Sequence, residues 1–179
     1  GEVIVHGVSI KPGKPVILAI VRGKPVIGLP GYPVSAYIGF ENFVIPVLQL
    51  MGRRREKTAE TVEAHISRRL VSSLKHKEYV RVKVGKVDDK FIASPLARGA
   101  GAAMSLVRAD GFCIIEQSSE GVEAGDRVQI ELYRSRDEIE KTAVVIGSHD
   151  LILDVMADML AENYDDVFIS STHVGSMGG

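Results

Sequence analysis

The chain has 179 residues, a formal net charge of −1 and 45% hydrophobic residues. This composition is typical of a folded protein of one or two domains. The near-neutral charge disfavours a general polyanion binder, so we expect no nucleic-acid partner. The single cysteine, Cys113, excludes an internal disulfide, and its apolar neighbours indicate a buried core residue rather than a nucleophile.

The sequence pattern gives no membrane or export signal. We find no apolar stretch of roughly 18 residues and no charged-then-apolar segment at the N-terminus. We therefore expect a cytoplasmic protein without a membrane partner. Because the chain starts at Gly1 rather than Met and ends in a glycine-rich stretch, we also expect an internal segment of a longer polypeptide.

Residues 1–52 predict the end of an α/β unit, with strands at 16–21 and 26–28 and then an amphipathic helix. Pro46 predicts a kink in this helix, and Gly52 suits its C-terminal cap. The loop before the helix has the sequence GLPGYPVSA (28–36), with Pro33 at the first helical turn. Free N–H groups at a helix N-terminus attract anions, so the loop predicts either an anion site or an ordinary tight connection.

Residues 53–136 change to a period of two. Polar and apolar residues alternate at 80–84 and 128–132, as in half-buried strands, and further strands are predicted near 61–66, 91–95 and 112–116. Short strands separated by turns predict a small antiparallel barrel or sandwich. The small residues of the turn GAGAA (99–103) predict either the close approach of a ligand or neighbouring domain, or a backbone conformation that needs glycine.

Residues 137–179 predict strand, helix and strand again. An apolar strand covers 143–146, Asp150 caps a helix, and a second strand covers 167–169. Hydroxyls and glycines then follow from 170 to 179, at the strand end where open α/β sheets bind ligands. This segment predicts either a small-ligand loop that includes Thr172 and Ser176, or a connecting loop.

Three motifs in a fixed order resemble those of a known family. They are KPGKP (11–15), GKPV (23–26) and GLPGYPVSA (28–36), and they resemble the signature of molybdopterin molybdenumtransferases of the MoeA and gephyrin E-domain type. The resemblance extends over about residues 1–134, since landmarks of that family's small β-barrel follow in order. These landmarks are YVRV (79–82), ASPL (93–96), GAG (99–101), SL (105–106), RADG (108–111) and AGDRV (124–128).

The resemblance implies an enzyme of molybdenum cofactor biosynthesis. Such an enzyme inserts molybdate into adenylylated molybdopterin and releases AMP, with Mg²⁺ as cofactor. Compact lysine cations and backbone donors suit these oxyanions. The substrate-binding residues implied are Lys11, Lys14, Pro30, Gly31, Pro33 and Ser35, with a further barrel contribution from Gly99, Gly101 and Ser105.

Two positions depart from the family pattern. Tyr32 stands where the family commonly has Asn, and Ala100 stands between Gly99 and Gly101 where the family has Ser. The carboxylates that would hold Mg²⁺ belong to the family's sequence upstream of Gly1. We therefore expect no metal ligands in this chain and an inactive fragment. The resemblance also implies that the full-length protein forms a homodimer.

Residues 137–179 more distantly resemble the start of a periplasmic-binding-protein-like domain, related to the effector domain of LysR-type regulators, which some family members carry at the C-terminus. The predicted fold class is therefore α/β plus all-β. It comprises the end of an α/β molybdopterin-binding domain (1–52), a β-barrel domain (53–136) and the first βαβ of a ligand-binding domain (137–179), whose hypothetical ligand is molybdate or a pterin.

Two other function classes stay open. One is a non-catalytic small-ligand or partner-binding module of a molybdopterin-related scaffold or sensor, as in the gephyrin branch. The other is a general nucleotide-binding α/β protein, which would need a glycine-rich phosphate loop and an acidic ribose partner that this sequence lacks.

Overall fold

The computed structural model describes residues 1–54, 59–96, 98, 103–148, 150–164 and 168–173. Its first strands are β1 (Glu2–His6), β2 (Ile10–Lys11), β3 (Ile17–Val21) and β4 (Lys24–Gly28). β1, β3 and β4 form an antiparallel sheet in the order β1-β3-β4, which confirms the two predicted strands. β2 leaves this sheet and pairs in parallel with a barrel strand, so the first unit is hydrogen-bonded to the second.

A continuous helical segment follows β4. It consists of α1 (Pro33–Gly39), a π-helical turn (Phe40–Val44) and α2 (Ile45–Met51), with Pro33 in its first turn as predicted. The kink expected at Pro46 takes the form of the π-helical turn just before it. Proline has no N–H to donate and its ring crowds the carbonyl four residues earlier, so a wider turn accommodates it.

The helical segment Pro33–Met51 is 19 residues long, and by length and composition it is apolar enough to cross a membrane. The expectation that no apolar stretch reaches this length is therefore wrong. One such helix is weak evidence for a membrane span, since core helices of folded domains meet the same criteria. In this fold, Val34 and Ile38 are buried against Tyr79 and Phe112 of the barrel.

The barrel strands are β5 (Glu60–Ile66), β7 (Lys77–Val87), β8 (Lys90–Pro95), β9 (Gly111–Ile115) and β11 (Arg127–Leu132), and a separate ribbon pairs β6 (Leu70–Val71) with β10 (Gly121–Val122). The ring closes in the order β7-β8-β5-β11-β9 and back to β7. Its pairs are antiparallel except β5 with β8, which corrects the expectation of a purely antiparallel barrel. Five strands cannot alternate direction around a closed ring, so one neighbouring pair must be parallel.

The barrel core is mostly aliphatic. It contains Val62, Ala64, Ile66, Leu70, Val80, Val82, Val84, Phe91, Ala93, Cys113, Ile115, Ile130, Leu132 and Ile139. The alternation at 80–84 predicted one solvent-exposed face for β7, yet Arg81 and Lys83 are also buried. Both faces of β7 are therefore covered, which alternation alone does not indicate.

Asp110 compensates the charge of Lys83. It lies between α3 (Ala103–Arg108) and β9, and its Oδ1 is 2.8 Å from Lys83 Nζ and 2.9 Å from Arg134 Nη1. Val84 N donates to Oδ2 at 2.8 Å. A buried carboxylate with these partners ties β7 to the end of β11.

The C-terminal segment contains α4 (Arg136–Glu140), β12 (Thr142–Gly147), α5 (Leu151–Asn163) and β13 (Phe168–His173), with β12 and β13 parallel. This confirms the predicted strand–helix–strand order and the cap, since Asp150 Oδ1 accepts a hydrogen bond from Ile152 N at 3.0 Å. β13 is longer than predicted and includes Thr172, which corrects its placement in a loop. Ser176 lies outside the described residues.

β12 lies directly on the barrel. A Cβ at Gly85 of β7 would be 3.0 Å from Val144 Cγ2, so the absence of a side chain at Gly85 permits this contact. Ile139 of α4 is buried in the barrel core, and Lys86 Nζ lies 3.3 Å from Glu140 Oε1. The first strand of the C-terminal segment is therefore packed against the barrel.

Replacing Asp110 tests the buried ion pair. Asp110→Asn leaves the Lys83 ammonium buried without a carboxylate, and we expect the free energy of unfolding to fall by about 3–5 kcal/mol. Equilibrium urea unfolding measures it. The control is Glu63→Gln, which removes the exposed pair with Arg127 and should cost less than about 1 kcal/mol. Equal losses in the two variants would contradict this account.

Cys113 gives a pH-dependent prediction. Burial raises the pKa of its thiol from 9.0 to about 11, and the thiolate is the reactive form. Iodoacetamide labelling at pH 8 should therefore be slow in the native protein and fast in urea. Because the folded state retains the proton more tightly, the free energy of unfolding should also fall as the pH rises from 9 towards 11. Native labelling as fast as that in urea would contradict the burial.

Candidate functional site

A cavity of about 370 Å³ lies between the loop at 11–15, the loop at 30–35 and strand β7 of the barrel. Four of the six predicted substrate-binding residues line it, namely Lys11, Lys14, Pro30 and Ser35. Gly31 and Pro33 belong to the same loop but are not among the lining residues. Two motifs that are separate in the sequence thus meet on one cavity.

The lysine loop is held by β2. In the parallel pairing with β7, Ile10 lies opposite Lys77 and Lys11 opposite Glu78. Gly13 has a φ of 121°, and a Cβ there would lie 2.9 Å from Ile10 Cδ1, so this turn requires glycine. The buried Ile10 and the backbone of Gly13 together fix where the two lysines leave the chain.

The second loop leads into α1, whose N-terminus borders the cavity. Ser35 lines the cavity although it is buried, and Tyr32 lines the cavity while 64% exposed. Tyr32 is the N-cap residue, but its side chain makes no capping hydrogen bond. Its phenol therefore does not cap the helix as an Asn side chain can.

The barrel supplies the opposite wall, with Glu78, Arg81 and Arg98 as its charged residues. Arg81 is 4% exposed, and burial lowers the pKa of its guanidinium from the usual value. Arg81 lies within the YVRV motif (79–82), but the sequence pattern predicted no role for it or for Arg98 or Glu78. Closure of the barrel brings Glu78, Arg81 and Arg98 to the cavity. The sequence around each residue gives no sign of this placement.

The charges around the cavity are mostly positive. Among the residues that the structure describes, four of the lining side chains are cationic and Glu78 is the one acidic lining residue. The Glu78 carboxylate is itself paired. Its Oε1 lies 3.6 Å from Lys11 Nζ and 3.3 Å from Arg98 Nη1. Such a cavity favours an anionic ligand. The cations are Lys11, Lys14, Arg81 and Arg98.

An aromatic cluster holds the two walls together. Phe112 packs 6.0 Å from Tyr37 of α1 and 5.5 Å from Tyr133, between ring centroids. Tyr79 Oη donates to Asn42 Oδ1 at 2.7 Å, and Tyr133 Oη donates to Leu106 O at 2.8 Å. Burial raises the pKa of Tyr37, Tyr79 and Tyr133, so these phenols are neutral near pH 7.

The other predicted site residues are not brought to this cavity within the described part of the chain. Gly99 and Gly101 lie outside the described residues, and Ser105 lies in α3 and is not a lining residue. Thr172 lies in β13, within the C-terminal segment of the chain. Among the described residues, no group of three or more His, Cys, Asp or Glu side chains is arranged to hold a metal ion.

Family models match two parts of the chain. Residues 1–50 match a probable molybdopterin binding domain, and residues 63–133 match the MoeA C-terminal region, domain IV. The resemblance inferred from the motifs is confirmed for these two regions. The comparisons do not show the further resemblance of residues 137–179 to a periplasmic-binding-protein-like domain.

Individual relatives agree with the family models. A putative molybdopterin biosynthesis protein of Methanocaldococcus jannaschii is 37% identical over 134 residues, which is 75% of this chain and 31% of that protein. The molybdopterin molybdenumtransferase of Bacillus subtilis is 27% identical over 137 residues, or 76% of this chain and 32% of that enzyme. The chain thus spans about one third of the length of the curated relatives it matches.

Solved structures confirm the fold. The MoeA protein of Pyrococcus horikoshii superposes with a TM-score of 0.60 at 36% identity, over 75% of this chain and 33% of that one. A molybdenum cofactor biosynthesis protein of Pyrococcus furiosus gives 0.61 at 29% identity, over 73% and 45%. The chain is therefore similar to MoeA proteins, with a match to a molybdopterin-binding domain at 1–50 and to MoeA domain IV at 63–133.

Proposed function

We propose that the full-length protein acts in molybdenum cofactor biosynthesis as a molybdopterin molybdenumtransferase. It inserts molybdate into adenylylated molybdopterin and releases AMP. The observation that carries this proposal is the convergence of the two motif loops and the barrel on one cationic cavity. The names of the relatives support the same reaction class.

The proposed roles follow from charge and position. Lys11 and Lys14 bind molybdate or the phosphates of the adenylylated substrate, and the buried Arg81 adds a fixed guanidinium with several donors. The loop residues Pro30, Gly31, Pro33 and Ser35 contact the pterin or an oxyanion. A barrel contribution from Gly99, Gly101 and Ser105 stays a proposal that rests on the family resemblance.

The charged residues at the cavity do not fit a Mg²⁺ site. Mg²⁺ prefers oxygen ligands that include one or two carboxylates. In the described part of the chain, Glu78 is the one acidic side chain among the lining residues, and it is already ion-paired with Lys11 and Arg98. We propose that other parts of the full-length protein supply the ligands of Mg²⁺, so that this segment alone is inactive.

The remaining proposals concern partners and location. We propose a cytoplasmic homodimer that acts on small molecules and binds neither nucleic acid nor membranes. The family resemblance supports the dimer, and the net charge of −1 argues against a general affinity for polyanions.

An AMP-release assay on the full-length protein tests the proposal. We expect release that depends on both molybdate and Mg²⁺, and a decrease in kcat/KM of about 10- to 100-fold for Arg81→Met, since a charge-assisted contact with the anion is lost. Arg127→Met, at an exposed position of the same barrel, is the control and should keep wild-type kinetics. Near-UV circular dichroism checks that both variants fold.

Two outcomes would count against the enzyme. If the intact protein binds adenylylated molybdopterin but never releases AMP, the alternative of a non-catalytic binding module is supported instead. If Arg81→Met keeps wild-type kinetics, the cavity described above is not the substrate site.

A second candidate function concerns the C-terminal segment. We propose that residues 137–179 open a periplasmic-binding-protein-like domain that binds a small ligand near Thr172 and Ser176. The parallel pair β12–β13 with its crossover helix supports this, because ligands bind at the carboxyl ends of such strands.

Calorimetric titration of the complete protein with molybdate, tungstate and a pterin tests this second candidate. Each ligand is titrated before and after Ser176→Ala and Thr172→Val. We expect one heat of binding that these substitutions weaken and that Lys14→Met leaves unchanged. Absence of any heat that responds to the two substitutions would exclude these residues as the ligand loop.

A further inference from the structure

Glu78 is a buried carboxylate in an otherwise cationic wall. It is 3% exposed and lines the cavity between the two motif loops and the barrel. Its Oε2 accepts a hydrogen bond from Ser72 Oγ at 2.9 Å, and its Oε1 faces the cations Lys11 and Arg98. The proposed function gives this carboxylate no role, although a negative charge beside an anion site is unfavourable in itself.

The fold places the partners of Glu78 on three different segments. Lys11 comes from β2 and lies opposite Glu78 in the strand register. Arg98 follows β8, and its Nη1 also donates to Val71 O at 2.7 Å, next to Ser72. The carboxylate therefore links the lysine loop, the segment after β8 and the β6 ribbon at one edge of the cavity.

Glu78 orients the Lys11 and Arg98 side chains, but it does not use all of their hydrogen-bond donors. The Lys11 and Arg98 side chains are 53% and 42% exposed, and their distances to Glu78 Oε1 are 3.6 and 3.3 Å. The fully buried Lys83–Asp110 pair is closer, at 2.8 Å. An ammonium has three donors and a guanidinium has five, so each cation keeps donors for a second acceptor.

We propose that Glu78 is a positioning residue of the anion site. Its buried carboxylate holds the Lys11 ammonium and the Arg98 guanidinium beside the cavity, so that an oxyanion meets two cations whose side chains are already ordered. Free lysine and arginine side chains lose conformational entropy when they bind, and this arrangement removes part of that loss beforehand. The inference rests on the proposed function, which identifies the anion as molybdate or a substrate phosphate.

A model based on charge alone makes the opposite prediction for Lys11. If Glu78 acted only through its charge, neutralising it would strengthen the binding of every anion and leave the contribution of Lys11 unchanged. If Glu78 orients Lys11, that contribution depends on Glu78. A double-mutant cycle separates the two cases, because it measures the coupling between the residues directly.

The experiment measures binding of molybdate and of pyrophosphate to the full-length protein by calorimetry. The variants are Lys11→Met, Glu78→Gln and the double substitution. We expect Lys11→Met to weaken binding about tenfold in the wild-type background and less than about twofold in the Glu78→Gln background. Glutamine retains an oxygen that can accept from Ser72, so the local fold is disturbed little.

Lys14→Met is the matched control. Lys14 lines the same cavity, and its side chain has no ion pair with Glu78 among the described contacts. Its effect on binding should be equal in both backgrounds. If Glu78→Gln does not fold, Glu78→Asp replaces it, because the shorter side chain keeps the charge but withdraws it from Lys11, and the coupling should fall in the same way.

Equal effects of Lys11→Met in the two backgrounds would overturn the proposal, as would a wild-type protein that binds neither anion. The calorimetric experiment measures binding and does not require AMP release. Its result can therefore be distinguished from that of the AMP-release assay. Coupling without AMP release would leave Glu78 as a positioning residue and reject the enzyme. AMP release with additive effects would retain the enzyme and reject the role of Glu78.

Discussion

The pairing of the two-residue strand β2 with β7 is the contact on which the site depends. It anchors Ile10 in an apolar cluster with Val34, Ile38 and Phe112, and it sets Lys11 beside Glu78. Without this pairing, nothing in the described backbone would hold the lysine loop of the first unit beside the arginines of the barrel. Backbone hydrogen bonds and a buried side chain thus decide the position of the cations more than the cations themselves do.

Local signals in the sequence identified most elements correctly. Pro33 and Asp150 marked helix starts, and alternation at 80–84 and 128–132 marked strands, because caps and side-chain periodicity are properties of neighbouring residues. The parallel pairing of β5 with β8 could not be predicted in this way, since it follows from closing an odd number of strands. The helix before Gly52 was also predicted, but the expectation that no apolar stretch reaches about 18 residues was wrong, because this helix is apolar over 19 residues.

The candidate site was predictable on one side only. Lys11, Lys14, Pro30 and Ser35 lie in motifs rich in glycine and proline, which a sequence shows directly. Arg81 lies on a strand where alternation suggests solvent exposure, and Glu78 precedes the alternating stretch at 80–84. Only the closed barrel and the loop packed on it show that both side chains are buried. A buried charge is recognised from its partners, and these partners are distant in the sequence.

The contact between Gly85 and Val144 has a consequence for the geometry of the chain beyond the barrel. α4 is little more than one turn long, has a capping box at its start, and leads directly into β12. Each helical residue rotates the point at which the chain leaves the helix by about 100° around the helix axis. One residue inserted in α4 would therefore turn β12 away from the barrel, so evolutionary changes in this connection are constrained in length as well as in composition.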